Sequence, residues 1–176
     1  MRKVVLFIAM SLDGYIADRN GKVDWLGSQD ETTDAEHAYS EFTNTIDTVI
    51  MGWKTYAQVT TELSPSQWVY DDFTSYVITH RQKTSTEKIK FVSESPADLV
   101  ERLRERTGKD IWICGGASIA QQLMDADLID RFHLSIIPTV LGDGVRLFGS
   151  RRQELRLRLL CAQSYNGITE VIYEKR

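Results

Sequence analysis

The spacing of apolar and polar positions changes along this chain. Val4 to Met10 is a continuous apolar run with two valines and an isoleucine, too short for a buried helix, and it predicts a central strand covered on both faces. Thr48 to Met51, Ser75 to Thr79 and Ile111 to Cys114 repeat that signature, and Lys88 to Val92 repeats it more weakly. Between these runs the period lengthens. Ala35, Ala38, Tyr39 and Phe42 share one face of a helix expected from about Asp34 to Asn44, with N-cap candidates among Asp30 to Thr33. A short helix is expected to begin near Trp53, just past the Gly52 turn. Ser95-Pro96-Ala97-Asp98 supplies a cap, a proline at the first helical position and an acid in the first turn, for a helix running to Arg106 and stopped by Gly108. Gly115-Gly116 opens another helix, with Ile119, Ala120, Leu123 and Met124 on its inner face.

Beyond Asp130 the texture is extended: Phe132 to Ile137, the Leu141-Gly142-Asp143-Gly144 turn, Leu155 to Ala162, and Ile168 to Glu174. Strands alternating with helices, followed by an antiparallel β tail, predict an α/β fold. It is one domain over residues 1–176, built on an open mixed sheet with an antiparallel C-terminal end.

Composition narrows the function. With 21 Lys and Arg against 25 Asp and Glu, the net charge is −4, so no global basic field is available to hold a nucleic acid or an anionic membrane. No run of eighteen apolar residues occurs, and the first apolar run lacks a signal-peptide cleavage pattern, so a soluble cytoplasmic protein is expected. Cys114 and Cys161 lie far apart in apolar surroundings without metal-ligand spacing; both are expected to be buried thiols, and no metal site is expected.

In an open α/β sheet, ligands bind beyond the carboxyl ends of the strands. Three loops qualify: Ser11 to Ala17, Gly52 to Tyr56, and Gly115 to Ala120. The third has the best chemistry for an anion, because glycine lets a phosphate approach the backbone and a helix start offers unpaired N–H groups. The dinucleotide fingerprint G-x-G-x-x-G after a strand and the P-loop motif are both missing, and so is a nucleophile elbow.

Four motifs occur in order: Ser11-Leu12-Asp13-Gly14-Tyr15-Ile16-Ala17, Val49-Ile50-Met51-Gly52-Trp53-Lys54-Thr55-Tyr56, Gly115-Gly116-Ala117-Ser118, and Leu141-Gly142-Asp143-Gly144-Val145-Arg146-Leu147-Phe148. Together they resemble the dihydrofolate reductase superfamily, in its branch containing the reductase domain of bacterial riboflavin biosynthesis. The resemblance implies a dihydrofolate reductase-like open mixed sheet of about eight strands flanked by about four helices. It also implies NADPH as cofactor, a small-molecule substrate and a homodimer. Ala9, Gly14 and Ala17 then border the nicotinamide, while Gly52, Lys54 and Thr55 contact phosphates. Thr79, His80 and Arg81 sit near the adenosine 2′-phosphate. Gly115, Gly116, Ala117, Ser118, Ile119 and Ala120 wrap the pyrophosphate, with a cis peptide expected at Gly115-Gly116. The family's usual Met-Gly-Arg is Met51-Gly52-Trp53 here. An indole cannot grip phosphate as a guanidinium does, which leaves Lys54 and Arg81 to compensate and Trp53 to stack on the adenine or plug the site.

Two acids are candidates for the proton that accompanies hydride transfer. Glu36 matches the spacing between the folate enzymes' acid and their Met-Gly-Arg motif, and Asp13 resembles the acid of the riboflavin-type motif. Asp13 has a second reading, as the cap of an Asp-Gly turn. Tyr15, Trp25 and Tyr39 are candidate substrate contacts, Tyr39 and Phe42 lining a flat pocket. His37 and His133 read as structural. The function expected is an NADPH-dependent oxidoreductase acting on a pteridine-like (dihydrofolate) or amino-pyrimidine ribosyl compound of the riboflavin pathway. The alternatives are a non-catalytic nucleotide-binding module that retains the fold, and a dimeric scaffold using Phe132 to Ile137 as an apolar edge strand.

Overall fold

The computed structural model describes residues 1–27, 39–150 and 154–176. The main sheet contains β1 (Val4–Ser11), β3 (Ile46–Gly52), β4 (Thr74–Ile78), β5 (Ile89–Val92), β6 (Asp110–Gly115), β7 (Arg131–Ile137), β9 (Leu157–Tyr165) and β10 (Ile168–Lys175). Its eight strands lie in the order β5-β4-β3-β6-β1-β7-β10-β9. The apolar runs became the buried centre: Val4, Leu6, Val49, Ile50, Met51, Ile111 and Ile113 have essentially no exposure. A second, two-stranded sheet joins β2 (Tyr15–Ala17) to β8 (Val145–Arg146). These segments were too short to leave a sequence period.

Side-chain alternation divides the core into two layers. Val4, Leu6, Ile50, Ile111, Ile113, Phe132 and Leu134 face α3 (Pro96–Arg104) and α4 (Ala117–Asp125), which bury Leu99, Leu103, Ile119, Leu123 and Met124 against them. The opposite face is aromatic. Phe42, from the helical segment α1 at 39–43, packs with Trp112 and stacks on Phe7 at 4.2 Å, and α2 (Trp53–Gln58) continues as a π-helical turn over Val59–Leu63. Ser95 caps α3 as its sequence predicts, its hydroxyl accepting the Asp98 N–H at 3.1 Å, and the helix ends at Arg104, two residues before the expected Arg106. The expected helix from Asp34 is described only at 39–43, and Glu36 and His37 lie outside the described residues.

Three expectations are corrected. The segment Phe132 to Ile137 is no edge: β7 runs parallel to β1 on one side and antiparallel to β10 on the other, so antiparallel pairing starts one strand later than its texture suggested. Cys161 is exposed, because β9 ends the sheet and little covers it. Tyr39, placed in a flat pocket with Phe42, is 40% exposed beside Phe7 and Trp112, whereas Phe42 is core. His133 is structural as expected, its Nε2 2.5 Å from Glu170 Oε1. Glu170 is 1% exposed and also accepts from Gln163 Nε2. Burial pushes the Glu170 carboxyl up, but the hydrogen bonds from His133, Gln163 and Tyr165 outweigh it and hold it below the ordinary value.

Candidate functional site

β1, β3 and β6 are parallel neighbours, so the loops that follow them leave from one edge of the sheet. They enclose a cavity of about 570 Å³ lined by Ile8, Ala9, Ile16 and Ala17 from the first, Gly52 to Thr55 from the second, and Gly116 to Ile119 from the third. The two glycine bends face each other closely. A methyl carbon built on Gly116 stands 3.6 Å from Thr55 Oγ1, and one on Gly52 stands 3.4 Å from Ile119 Cγ1, so any larger group there would fill the space between α2 and α4. The Gly115-Gly116 peptide is cis. At the start of α4, Ile119 and Ala120 return their N–H groups to the Gly116 carbonyl, while the N–H groups of Ala117 and Ser118 have no acceptor within the helix. That end of the cavity suits an anion.

Around it the structure sorts the residues singled out from sequence. Ala9, Ala17, Gly52, Trp53, Lys54, Thr55, Gly116, Ala117, Ser118 and Ile119 line the cavity. Gly14 and Gly115 supply left-handed backbone in the flanking loops, and Ala120 is fully buried under α4. Thr79 is buried and its Oγ1 accepts the Arg81 N–H at 3.1 Å, whereas His80 and Arg81 are exposed. Trp53 lines the cavity with two cations beside its ring. The Arg81 guanidinium carbon lies 5.0 Å from its ring centroid and Lys83 Nζ 5.3 Å, so the position that lacks its own cation gathers two.

Asp13 is occupied elsewhere. Its carboxylate accepts the Ser11 hydroxyl at 2.6 Å and the N–H groups of Leu141 and Gly142 at 3.1 and 2.7 Å. The Ser11 bond is the largest cause of a pKa held down to about 2, with the Gly142 and Leu141 amides adding to it against a small cost of burial. It is a fixed anion that ties the loop after β1 to the turn before β8. Tyr15 packs in the same clamp, under the Arg146 guanidinium and with its hydroxyl 3.4 Å from the Gly142 carbonyl. Trp25 sits in the 3-10 turn Asp24–Leu26; its neighbours Val23 and Leu26 line the cavity, while its own Nε1 is buried with no hydrogen-bond partner among the described residues.

Sequence reasoning missed the wall made by Gln58, Val59, Leu63, Tyr70 and Cys114. The Tyr70 hydroxyl and the Cys114 thiol are 3.5 Å apart, and burial pushes both up, the thiol to about 11. The one available signal was the position of Cys114 immediately before Gly115-Gly116. Val59 and Leu63 follow a helix whose π-helical continuation no spacing announced. Among the described residues no group of His, Cys, Asp and Glu could hold a metal ion, and no helix is long and apolar enough to cross a membrane.

A mixed eight-stranded sheet whose parallel strands end at two apposed glycine bends is a dihydrofolate reductase-like fold. Residues 2–173 match the RibD C-terminal domain, and the chain belongs to that family. It is 38% identical over 173 residues to YwjB of Bacillus subtilis, an uncharacterized protein, covering 98% of this chain and 97% of that one. A crystal structure from Shewanella sp. PV-4, of a protein provisionally assigned to riboflavin biosynthesis, superposes with a TM-score of 0.86 at 28% identity, over 100% of this chain and 99% of the other. The Thermotoga maritima diaminohydroxyphosphoribosylaminopyrimidine deaminase/5-amino-6-(5-phosphoribosylamino)uracil reductase shares the fold, with a TM-score of 0.73 at 16% identity over 99% of this chain and 57% of that one.

Proposed function

We propose that this protein is an NADPH-dependent reductase that delivers hydride to a planar nitrogen heterocycle, pteridine-like or amino-pyrimidine in type. The observation that carries this reading is the apposition of Gly52 and Gly116 across one cavity, with the α4 start opening onto it. Family membership supports it. The chemistry of these residues suits a dinucleotide. Backbone amides at Ala117 and Ser118 would hold its diphosphate, and Arg81 and Lys83, steadied on Trp53, would supply the charge for a 2′-phosphate. Ile8, Ala9 and Ile16 line the cavity with apolar surface and would shield a redox ring held there from water.

The bound nicotinamide supplies the hydride. The chain's own part is to hold the acceptor flat against that ring and to deliver a proton. Asp13, a clamped anion off the cavity, acts by fixing the wall formed by the loop after β1 and by β8. Glu36 is then the acid to test for the proton. With NADPH and dihydrofolate, or NADPH and an amino-pyrimidine ribosyl compound, the protein is expected to oxidise cofactor faster than with NADPH alone, and Glu36→Gln is expected to lower the rate and to abolish the fall in rate with rising pH that deprotonation of the donor causes. Cofactor binding without turnover on either compound would favour the non-catalytic module.

A further inference from the structure

The far wall of the cavity identifies what the acceptor lacks. Along α2 and its π-helical turn, away from Gly52, the lining becomes Val59 and Leu63, and the same cavity is lined by Val23, Leu26, Tyr70 and Cys114. Two polar groups of this wall are paired within the protein. Gln58 Nε2 donates to the Gly21 carbonyl at 2.9 Å, and the Tyr70 hydroxyl is paired with the Cys114 thiol. Among the described residues that line the cavity, Lys54 alone is charged, and it belongs to the first turn of α2, next to Thr55 at the Gly116 bend. The chain next to this wall carries one exposed cation, Lys22 between Gly21 and Val23, against four exposed carboxylates: Asp24 after Val23, Glu62 beside Leu63, and Asp71 and Asp72 after Tyr70.

A phosphate dianion brought to such a wall loses hydration, finds no cation in the lining, and meets a surround in which carboxylates outnumber the one lysine. An uncharged ring gains from the same surface, since apolar area is removed from water on both partners. We propose that the acceptor of this protein is an unphosphorylated, uncharged planar ring compound, and that this wall excludes the sugar-phosphate form. The inference rests on the reductase reading above and narrows its substrate class.

The test uses the full chain saturated with NADP⁺ and two probes that differ only by phosphate, 7,8-dihydroneopterin and its monophosphate. NADP⁺ binding is measured first by calorimetry; its absence overturns the reductase reading itself. With NADP⁺ bound, dihydroneopterin is expected to bind at least tenfold more tightly than its phosphate. The half-exposed Leu63 offers a second measurement, since Leu63→Arg supplies a cation at a position that tolerates it and is expected to shift the ratio toward the phosphate by at least tenfold. Equal affinities, a preference for the phosphate, or no binding of either probe to the NADP⁺ complex would overturn the proposal while leaving the cofactor site intact.

Discussion

The guanidinium carbon of Arg81 lies 5.0 Å from the centroid of the Trp53 ring, joining the loop after β4 to the first residue of α2. Trp53, which lines the cavity, therefore holds the positive charge of Arg81 and Lys83 beside it. Arg81→Ala is expected to weaken NADPH by about tenfold or more, the worth of a charge-assisted phosphate contact, while changing NADH by less than about twofold. Trp53→Leu, which frees Arg81 and Lys83 together, is expected to cost NADPH up to about fivefold. Fluorescence titration of both cofactors checks this; equal losses for NADPH and NADH would dissociate Arg81 from the 2′-phosphate.

The Asp13 clamp has its own signature in acid. Because its folded pKa is lowered to about 2 from an ordinary 3.8, the tie is complete above the ordinary carboxylate range and is released as the pH falls toward 2. Asp13→Asn is expected to speed amide hydrogen exchange at Leu141 and Gly142 at neutral pH, leaving the β3-β6 core protected. A carboxyl titration midpoint near the ordinary value, read by carbon NMR, would contradict the clamp.

How much of this was legible in the chain depends on the range of the forces involved. Runs such as Val4 to Met10 and Ile111 to Cys114 declared their strands because burial on both faces leaves a local trace, and Ser95-Pro96 declared a helix start because caps act within one turn. The family motifs placed Gly52 and Gly116 at one site. The Asp13 tie to Gly142, the seating of Arg81 on Trp53, and the Val59 and Leu63 wall join distant segments and have no period to betray them. Cys161 was misplaced for the same reason: apolar neighbours suggest burial, but edge position depends on strand order.

Among the described residues Glu170 is the most deeply buried acid, and truncating it strands His133 and Gln163. Glu170→Ala is expected to destabilise by about 3 kcal/mol, lowering the melting temperature by roughly 6–12 °C. Since its folded pKa is depressed, its contribution is present above the unfolded carboxyl value and is lost as the pH falls through the folded one. The variant is therefore expected to show a flatter acid limb in a plot of melting temperature against pH.

The two thiols are expected to separate cleanly. Iodoacetamide at mildly alkaline pH is expected to label Cys161 on the exposed edge strand and to spare Cys114, whose thiol burial raises to about 11. Mass spectrometry then finds one adduct on the folded protein and two on protein unfolded in urea; labelling of Cys114 first would contradict the packing of Tyr70 against it.

Calorimetric titration of NADPH into the native chain and into Gly116→Val tests the dinucleotide cleft most directly, because a valine there fills the gap toward Thr55. One saturable site per chain is expected in the native protein, with affinity at least about tenfold lower in the variant and the circular dichroism unchanged. No binding by the native chain, or equal binding by both, would contradict the account.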